Sequence, residues 1–326
     1  MSPHEIVRLL MQQGKGILAA DESTETITKR FTALGIPSNE ETRRAYRELL
    51  FTTPGIEKYI SGVIFYDETM RQSESHGLIF PQYVASKNIL VGTKVDKGIE
   101  GGVTNGLEGL EERLIEYKSL GTVFTKWRMV SKVSGGDAPL TQNIENAVSY
   151  ATIVQKNGMV PIVEPEILIE GPHTAEEAEQ ALSRTLAPLM EKLQNACDLP
   201  GLIIKTSMVT SGSENPLKAD PKEVAERTVR ALSSAIHSDI GGVVFLSGGQ
   251  EPEEASKNFN AIARTEPLPW PIAFSFSRAL QDPVLALWAG QESLREEAQA
   301  QFIERLSLNQ LADAGGYSPE MEEKAL

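Results

Sequence analysis

Short apolar runs rich in valine and isoleucine recur along the chain and alternate with longer segments in which apolar residues have helical spacing. The runs are GILAAD, GVIFYD, ILVGTKVD, TVFTKWR, MVPIVEPE, LIIKTSM, GGVVFLSGG and PIAFSFSR. Each is typical of a strand that is buried on both faces. The longer segments include EERLIEYKSL, AEEAEQALSRTLAPLMEKLQNA, PKEVAERTVRALSSAI and PEEASKNFNAIA, which have the period of amphipathic helices. The pattern predicts eight buried strands that alternate with helices.

This alternation continues without a composition break or a Gly/Ser-rich linker, which favours a closed parallel barrel over an open doubly wound sheet. We therefore expect an α/β fold, a single TIM (β/α)8 barrel, in which residues 1–326 form one domain. The opening segment MSPHEIVRLLMQQ has apolar residues at helical spacing and predicts a packed N-terminal helix. A short C-terminal tail is expected at the other end of the domain.

Polar or charged side chains follow the apolar part of every predicted strand. The carboxyl ends of the strands form the mouth of such a barrel, where active sites lie, so these side chains are expected to converge on one cavity. A single Asp or Lys at a strand end is more often a structural ion pair, but so many buried charges would destabilise one barrel unless they served a purpose. The residues are Asp21, Asp67, Lys94, Lys126, Arg128, Glu164, Glu166, Lys205, Ser247, Ser275 and Arg278.

Five of these residues are cations in a chain whose net charge is -14, so the ligand is expected to be an anion. Gly248, after the seventh strand, allows the close backbone approach that phosphate loops use, although a simple turn would also explain Ser-Gly-Gly. Arg278 opens a predicted helix whose dipole favours the same anion. Ser23, Thr26 and Lys94 indicate a second anion site across the mouth, although helix capping would also explain the two hydroxyls. Two such sites predict a bisphosphate ligand.

Two lysines could act as an amine nucleophile, because burial near another cation lowers the pKa of a lysine. Lys205 ends the more apolar strand and is favoured over Lys126, which lies beside Arg128 and could instead contact a phosphate or a carboxylate. Glu164 and Glu166 are two residues apart, so both face inward, where paired carboxylates can divide acid and base roles. They could also be counter-ions for the lysines.

Composition disfavours several other classes of protein. A net charge of -14 opposes binding to nucleic acid and to anionic membranes, and no stretch approaches the roughly 20 apolar residues needed to span a bilayer. Cys197 is the only cysteine, which excludes an internal disulfide and fits a reducing, cytoplasmic location. The histidines at positions 4, 76, 173 and 237 lack the short spacing of metal ligands, so we expect no metal and no other cofactor.

The chain also resembles a known family over nearly its whole length. The segments GKGILAADES, SGVIFYDET, KVDKG, KWR, VPIVEPEIL, IIKTSMVTSG, FLSGGQ and FSFSRALQ occur in the order in which they occur in the class I fructose-bisphosphate aldolases. The resemblance implies a lyase of glycolysis and gluconeogenesis that needs no metal. Such an enzyme reversibly cleaves fructose 1,6-bisphosphate into dihydroxyacetone phosphate and glyceraldehyde 3-phosphate through a lysine Schiff base. The resemblance also implies a homotetramer.

The resemblance implies a role for each matched residue. Lys205 would form the imine, Glu164 would be the acid and base in carbinolamine dehydration, and Asp21 would take the C4 hydroxyl proton to start C–C cleavage. The groups that tune and orient this centre would be Glu166, Lys126 and Arg128. The C1 phosphate positions would be Ser247, Gly248, Ser275 and Arg278. The C6 phosphate positions would be Ser23, Thr26, Arg30 and Lys94.

A few positions depart from the pattern most familiar in the animal enzymes. Thr206 and Ser207 follow the imine lysine where Pro-Asn is usual, and Ser277 stands where glycine is common. Glu25 replaces a glycine in the C6 phosphate region and is expected to weaken binding of that phosphate. Many relatives end in a tyrosine that assists proton exchange on the enamine, whereas this chain ends EMEEKAL and has Tyr317 further upstream. Another group or water is expected to protonate the enamine.

Three other functions stay open at the level of sequence. The first is an imine-forming lyase that prefers tagatose or sedoheptulose bisphosphate. The second is a phosphosugar-binding protein without catalytic activity, which the presence of a complete set of lysine, acid and base disfavours. The third is a metal-dependent aldolase, which the histidine spacing disfavours.

Overall fold

The computed structural model of the protein describes residues 1–134, 137–265 and 267–322. The predicted C-terminal tail includes residues 323–326, which lie outside the described residues. The strands are β1 Gly16–Ala20, β2 Ile60–Phe65, β3 Leu90–Lys94, β4 Ile99–Glu100, β5 Val103–Thr104, β6 Phe124–Ser131, β7 Val160–Ile167, β8 Ile203–Ser207, β9 Gly242–Leu246 and β10 Ile272–Phe274.

Eight strands form one parallel sheet in the order β1-β2-β3-β6-β7-β8-β9-β10, and β4 pairs with β5 in a short antiparallel hairpin. The Ala19 N–H donates to the carbonyl of Phe276 at 3.1 Å, which joins the two edges of the sheet. Each of the eight apolar runs corresponds to one strand of this sheet. The predicted (β/α)8 barrel is therefore confirmed.

Helices separate the strands along the chain and cover the outer face of the barrel. They are α1 Pro3–Leu10, α2 Thr24–Ala33, α3 Glu40–Phe51, α4 Asp67–Met70, α5 Phe80–Ser86, α6 Leu110–Ser119, α7 Asp137–Lys156, α8 Ala175–Ala196, α9 Pro221–Ala235, α10 Pro252–Ala263, α11 Arg278–Trp288 and α12 Arg295–Asp313. Single turns of 3₁₀ helix are Ile56–Lys58, Leu199–Gly201, Glu292–Leu294 and Pro319–Met321. None of the helices in the described ranges is long and apolar enough to cross a membrane.

Local sequence fixes where several helices begin. At α8 the Thr174 hydroxyl accepts the Glu177 N–H at 3.2 Å, and the Glu177 carboxylate accepts the Thr174 N–H at 2.8 Å. This reciprocal arrangement satisfies backbone donors that the helix itself cannot pair. Asp220 caps α9 in a similar way, accepting the Glu223 N–H at 2.8 Å, and Pro221 follows at the first helical position. The predicted helices α8 and α9 therefore begin directly after their capping residues.

Buried apolar side chains form two layers, one between the barrel and its helices and one inside the barrel. In the inner layer, Ile6 and Leu10 of α1 pack with Phe124, which places α1 against the amino-terminal end of the barrel. Full burial of such a side chain contributes about 1.5–3 kcal/mol. Gly92 is needed here because a Cβ atom at that position would lie 2.2 Å from the Phe124 ring. The predicted packed N-terminal helix is confirmed.

Candidate functional site

The candidate catalytic residues follow interior side chains of the barrel strands and point inward as well. Alternate side chains of a strand point to opposite faces, so a residue two positions after an interior side chain also faces the interior. The interior side chains are Ala19, Phe124, Ile162 and Ile203, and the residues two positions later are Asp21, Lys126, Glu164 and Lys205. These four residues are all buried. The apolar interior therefore ends in a layer of charged groups at the carboxyl end of the strands.

This charged layer forms the floor of a cavity of about 380 Å³. Every residue to which the family resemblance assigns a role lines the cavity, although the structure does not test the role of any of them. The predicted residues in its wall are Asp21, Ser23, Thr26, Arg30, Lys94, Lys126, Arg128, Glu164, Glu166, Lys205, Ser247, Gly248, Ser275 and Arg278. Ala19, Glu22, Lys29, Leu246 and Ser277 complete the wall.

The expectation that Asp67 would join this cavity is wrong. Asp67 is the first residue of α4, and its carboxylate binds the Arg71 guanidinium at 2.6 Å and the Tyr117 hydroxyl at 2.7 Å. It lies in the wall of an adjoining cavity of about 650 Å³. Because the chain has already left β2 at this point, strand alternation does not determine where Asp67 points.

A chain of ion pairs crosses the floor of the cavity. Glu164 binds Lys205 through Oε1 and Lys126 through Oε2, each at 3.0 Å, and Lys126 also binds Asp21 at 2.5 Å. The register of β6 and β7 pairs Lys126 with Ile162, which is two residues before Glu164. This register brings the side chains of Lys126 and Glu164 close together. The two lysines therefore share one carboxylate, while Lys126 alone has a second.

This difference separates the pKa values of the two lysines. Burial lowers the pKa of Lys205 below its ordinary value, and the nearby Lys126 charge adds to this effect while Glu164 opposes it. Burial acts in the same direction on Lys126, but Asp21 and Glu164 together outweigh it and raise the pKa of Lys126. Burial would raise the pKa of Glu164, but the charges of Lys126 and Lys205 lower it to about 2. Lys205 is the amine that loses a proton more easily.

Glu166 is held by Arg128 in the cavity wall. Its Oε2 atom accepts from Arg128 Nε at 2.5 Å, and burial of Arg128 is outweighed by this carboxylate, which raises the pKa of the guanidinium. A Cβ atom at Gly248 would lie 3.1 Å from Glu166 Oε1, so the glycine makes room for the carboxylate. Arg128 and Glu166 thus form a fixed pair in the cavity wall.

The β9/β10 anion end of the cavity consists of Ser247, Gly248, Ser275 and Arg278. Ser275 is fully buried, and its hydroxyl makes no hydrogen bond within the described residues. Arg278 has no ion pair in the described ranges and stands at the first position of α11. Gly249, next to Gly248, has a φ of 77°, which a residue with a side chain would rarely adopt. This end offers hydroxyl, guanidinium and helix-terminal donors to an anion.

The α2 anion end of the cavity consists of Ser23, Thr26, Arg30 and Lys94. The Ser23 hydroxyl accepts the Thr26 N–H at 3.3 Å, so Ser23 is the cap of α2, and its oxygen lies 3.0 Å from the Thr26 hydroxyl. Lys94 binds Asp96 at 3.2 Å. Ser23 and Thr26 therefore take part in the cap of α2 and also lie in the cavity wall.

Glu22 is a residue of the wall that the sequence did not predict. Its carboxylate binds Arg30 and Arg47, each at 2.6 Å, and accepts from the Ser277 hydroxyl at 2.6 Å. Burial would raise the pKa of Glu22, but the two guanidinium groups lower it to about 2. Glu22 follows directly after Asp21, outside the strand pattern, so the signal that could have identified it was only its position between two predicted residues.

Thr206 and Ser207 connect β8 to β7 beside the catalytic candidates. The backbone pairing of these strands extends from Ile162 and Ile203 to Val163 and Ile204. Beyond that point the Thr206 hydroxyl donates to the Pro165 carbonyl at 3.1 Å. The Ser207 hydroxyl accepts the Ile167 N–H at 3.0 Å. Pro165 has no N–H to donate, so side-chain hydroxyls continue the link between the strands that carry Glu164 and Lys205.

Across residues 1–134, 137–265 and 267–322, no group of three or more His, Cys, Asp or Glu side chains has an arrangement that could hold a metal ion.

Comparisons with known proteins give a consistent result. The model of the family described as fructose-bisphosphate aldolase class-I matches residues 3–326. A probable fructose-bisphosphate aldolase class 1 of Xylella fastidiosa is 44% identical, over 95% of this chain and 97% of the relative. A cytosolic fructose-bisphosphate aldolase 4 of Arabidopsis thaliana is also 44% identical, over 93% and 80% respectively. A solved fructose-bisphosphate aldolase of Plasmodium falciparum, in complex with TRAP and a small-molecule inhibitor, is 40% identical. It superposes with a TM-score of 0.94 over 97% of this chain and 95% of that chain.

Proposed function

The chain belongs to the class I fructose-bisphosphate aldolase family, and on this premise we propose that Lys205 is the lysine that forms the imine with the substrate. The reaction of the family is the reaction of this enzyme: it reversibly cleaves fructose 1,6-bisphosphate into dihydroxyacetone phosphate and glyceraldehyde 3-phosphate through a lysine Schiff base. We assign each step of this reaction to a residue of the chain.

Lys205 begins the reaction by attacking the C2 carbonyl of the open-chain sugar. Attack requires the neutral amine, and the lowered pKa of Lys205 increases the fraction of neutral amine at a given pH. Glu164 is ionised at first because its pKa is lowered, so it takes the proton that the Lys205 ammonium loses. It then delivers this proton to the hydroxyl group of the carbinolamine, which leaves as water. Glu164 lies 3.0 Å from the Lys205 amine and can therefore exchange protons at this centre.

Asp21 starts the cleavage of the C3–C4 bond by taking the proton of the C4 hydroxyl. The C4 oxygen then forms the aldehyde, and the electron pair of the C3–C4 bond moves into the protonated imine to give an enamine. Lys126 binds Asp21 at 2.5 Å and orients it. Protonation of the enamine at C3 and hydrolysis of the imine release dihydroxyacetone phosphate and return the Lys205 amine.

The two phosphate groups are assigned to the two anion ends. We place the C1 phosphate at the β9/β10 anion end, where Arg278 and the Ser275 hydroxyl, which has no hydrogen-bond partner in the described ranges, offer donors. The C6 phosphate is placed at the α2 anion end. Arg128 and Glu166 line the same cavity and are assigned to orienting the sugar.

The observation that carries this assignment is the position of Lys205, a fully enclosed amine with a single carboxylate partner among the described residues. Cleavage of fructose 1,6-bisphosphate, measured by coupled detection of triose phosphates, tests it. We expect Lys205→Met to lose at least about 10³-fold in kcat, as removal of a covalent nucleophile does. Lys192→Met is the matched control, because Lys192 is a surface lysine paired with Glu145 at 2.9 Å.

Each alternative function has its own signature in the same assay. Substrate binding by the purified protein without release of triose phosphate would indicate a binding protein. Activity that is lost in EDTA and restored by zinc would indicate a metal-dependent enzyme. Substantial activity in Lys205→Met would show that Lys205 does not form the imine.

We further propose that residues 1–326 form one domain, that the enzyme is a homotetramer and that it acts in the cytoplasm. One hydrophobic cluster that contains both Leu18 and Tyr317 supports the single domain. Family membership supports the tetramer, and the cytosolic relative of Arabidopsis thaliana supports the location. Light scattering after size exclusion would give about four times the chain mass of 35.6 kDa for a tetramer, whereas the single-chain mass would refute it.

A further inference from the structure

Residues 247–250 form the turn that follows β9 and carries Ser247 and Gly248 of the β9/β10 anion end. The Gln250 N–H donates to the Ser247 carbonyl at 3.0 Å and closes the turn. The side-chain amide of Asn258 in α10 donates to the side-chain oxygen of Gln250 at 2.8 Å, and both side chains are buried. α10 therefore holds the last residue of the turn in place.

Ile169, two residues after the end of β7, packs against the middle of this turn. A Cβ atom at Gly249 would lie 2.3 Å from Ile169 Cγ2, so this methyl group occupies the place beside the Gly249 backbone where a side chain would stand. At the preceding residue, Gly248, the same position faces Glu166 Oε1 at 3.1 Å. The turn therefore rests on the end of β7 and on the segment that follows it.

The backbone on both sides of Ile169 is fixed to neighbouring strands. The Leu168 N–H donates to the carbonyl of Ser131, the last residue of β6, at 2.9 Å. The Ile169 carbonyl accepts the Ser213 N–H, from the loop after β8, at 2.7 Å. Ile169 also lines a cavity of only about 10 Å³ between these loops, which is at most the space of one water molecule. The side chain therefore has little room to move back from Gly249.

Further hydrogen bonds join the loop after β7, residues 168–174, to the loop after β8, residues 208–220. The Gly212 N–H donates to the His173 carbonyl at 2.8 Å. The Asn215 side-chain amide donates to the same carbonyl at 3.0 Å. The support of the turn is thus tied to the strand that carries the imine lysine.

We propose that Ile169 is a positioning residue for the C1 phosphate. Of the residues that the structure describes, those lining the cavity do not include Ile169, so it acts through Gly249 on the turn. The phosphate must meet the turn, the Ser275 hydroxyl and the Arg278 guanidinium together. The segment that follows Glu164 on β7 therefore also sets the distance between the phosphate and the imine. This inference rests on the proposed function of the site.

Borohydride trapping of the imine tests this role with two ketones, dihydroxyacetone phosphate and dihydroxyacetone. Both can form the imine on Lys205, but only the first has a phosphate for the turn to bind. In Ile169→Ala, the half-saturating concentration of dihydroxyacetone phosphate should rise about fivefold, which corresponds to the loss of one net hydrogen bond to the phosphate. The value for dihydroxyacetone should change by less than about twofold, as expected for independent sites.

Two variants serve as controls for size and for packing. Ile169→Val keeps the Cγ2 methyl group that lies against Gly249, so it should trap dihydroxyacetone phosphate as the wild type does. Ile153→Ala makes the same truncation at a half-buried isoleucine of α7 that packs on the outer layer of the core. It should change trapping of neither ketone.

A second pair of variants tests the contact itself. Gly249→Ala places a methyl group against Ile169 Cγ2 and should weaken trapping of dihydroxyacetone phosphate more than Ile169→Ala does. The double variant Ile169→Ala/Gly249→Ala removes this clash and should trap this ketone better than Gly249→Ala alone. The φ of 77° strains an alanine at position 249 in both proteins, so it does not affect their comparison.

Two outcomes of the Ile169→Ala experiment would overturn the inference, whether or not the Gly249 variants fold. An equal loss for both ketones would mean that Ile169 only stabilises the mouth of the barrel. Unchanged trapping of both ketones would mean that the turn does not need its support. A wild type that forms an adduct with neither ketone would instead remove the proposed function, so the two failures are distinguishable.

Discussion

β6 and β8 each present a buried lysine to the same carboxylate, yet the two lysines are prepared for different chemistry. Lys126 on β6 has Asp21 and Glu164 as partners, and their charges raise its pKa. Among the described residues Lys205 on β8 has Glu164 as its one carboxylate partner, and burial lowers its pKa. Burial therefore does not by itself make a lysine nucleophilic. The number of carboxylates that share its charge decides whether it serves as an amine or as a fixed cation.

The largest expected effect comes from breaking the link between the two lysines. Glu164→Gln removes the shared carboxylate and the proton exchange at the imine, so kcat/KM should fall by about 10²- to 10⁴-fold. Steady-state cleavage measures this loss. Glu179→Gln is the control, because Glu179 also bridges two cations, Arg227 and Arg230, each at 2.8 Å but away from the cavity. Equal losses in both variants would mean that Glu164 acts only through stability.

A smaller loss is expected when the fixed cation is removed. Lys126→Met leaves Asp21 without the cation that orients it, and kcat should fall by about 10²-fold, as it does when one electrostatic group of an active site is removed. The imine should still form on Lys205. Borohydride reduction of this variant with substrate, followed by intact mass measurement, separates the two steps. A variant unable to form the adduct would place Lys126 in the imine step itself.

The pH dependence of imine formation should separate the effects of Lys126 and Glu164 on the pKa of Lys205. The neutral amine of Lys205 attacks the substrate, so the rate should rise as pH passes upward through the lowered pKa of Lys205. Lys126 lowers that pKa and Glu164 raises it. The acidic limb should therefore move to higher pH in Lys126→Met and to lower pH in Glu164→Gln. Single-turnover trapping across pH measures the acidic limb of each variant. If the limbs of both variants moved in the same direction, the account would be contradicted.

The smallest expected effect concerns the distance between Glu164 and Lys205. Thr206→Val keeps the side-chain shape but removes the hydroxyl that donates to the Pro165 carbonyl, so β7 is less firmly joined to β8. Imine formation should slow by about fivefold, which corresponds to one net hydrogen bond. Thr152→Val is the control, because its hydroxyl donates to a carbonyl inside α7 at 2.9 Å. Unchanged rates in both variants would show that the backbone pairing is sufficient.

The fold and the floor of the site were predictable because both follow from strand periodicity. The alternation that buries Ile162 and Ile203 also turns Glu164 and Lys205 inward two residues later. This signal is local and repeats in each strand. It stops where the strand stops, which is why Asp67, the first residue of α4, was wrongly expected to join the cavity.

The remaining features depend on how separate segments approach one another. Glu22 is bound by Arg47 of α3 and by the Ser277 hydroxyl at the start of α11, two segments far from it in sequence. Asp282 reaches Arg30 across a separation of 252 residues. The hairpin of β4 and β5 has two residues in each strand, too few for any periodicity. Such pairings arise from tertiary packing, and no local pattern predicts them.

The most direct test of the difference between Lys205 and Lys126 is to locate the imine. The enzyme is incubated with dihydroxyacetone phosphate, reduced with borohydride, digested and mapped by mass spectrometry, in the wild type and in Lys126→Met. The account predicts one reduced adduct on Lys205 in both proteins. An adduct on Lys126 or on another lysine of the wild type, or no adduct at all, would contradict it.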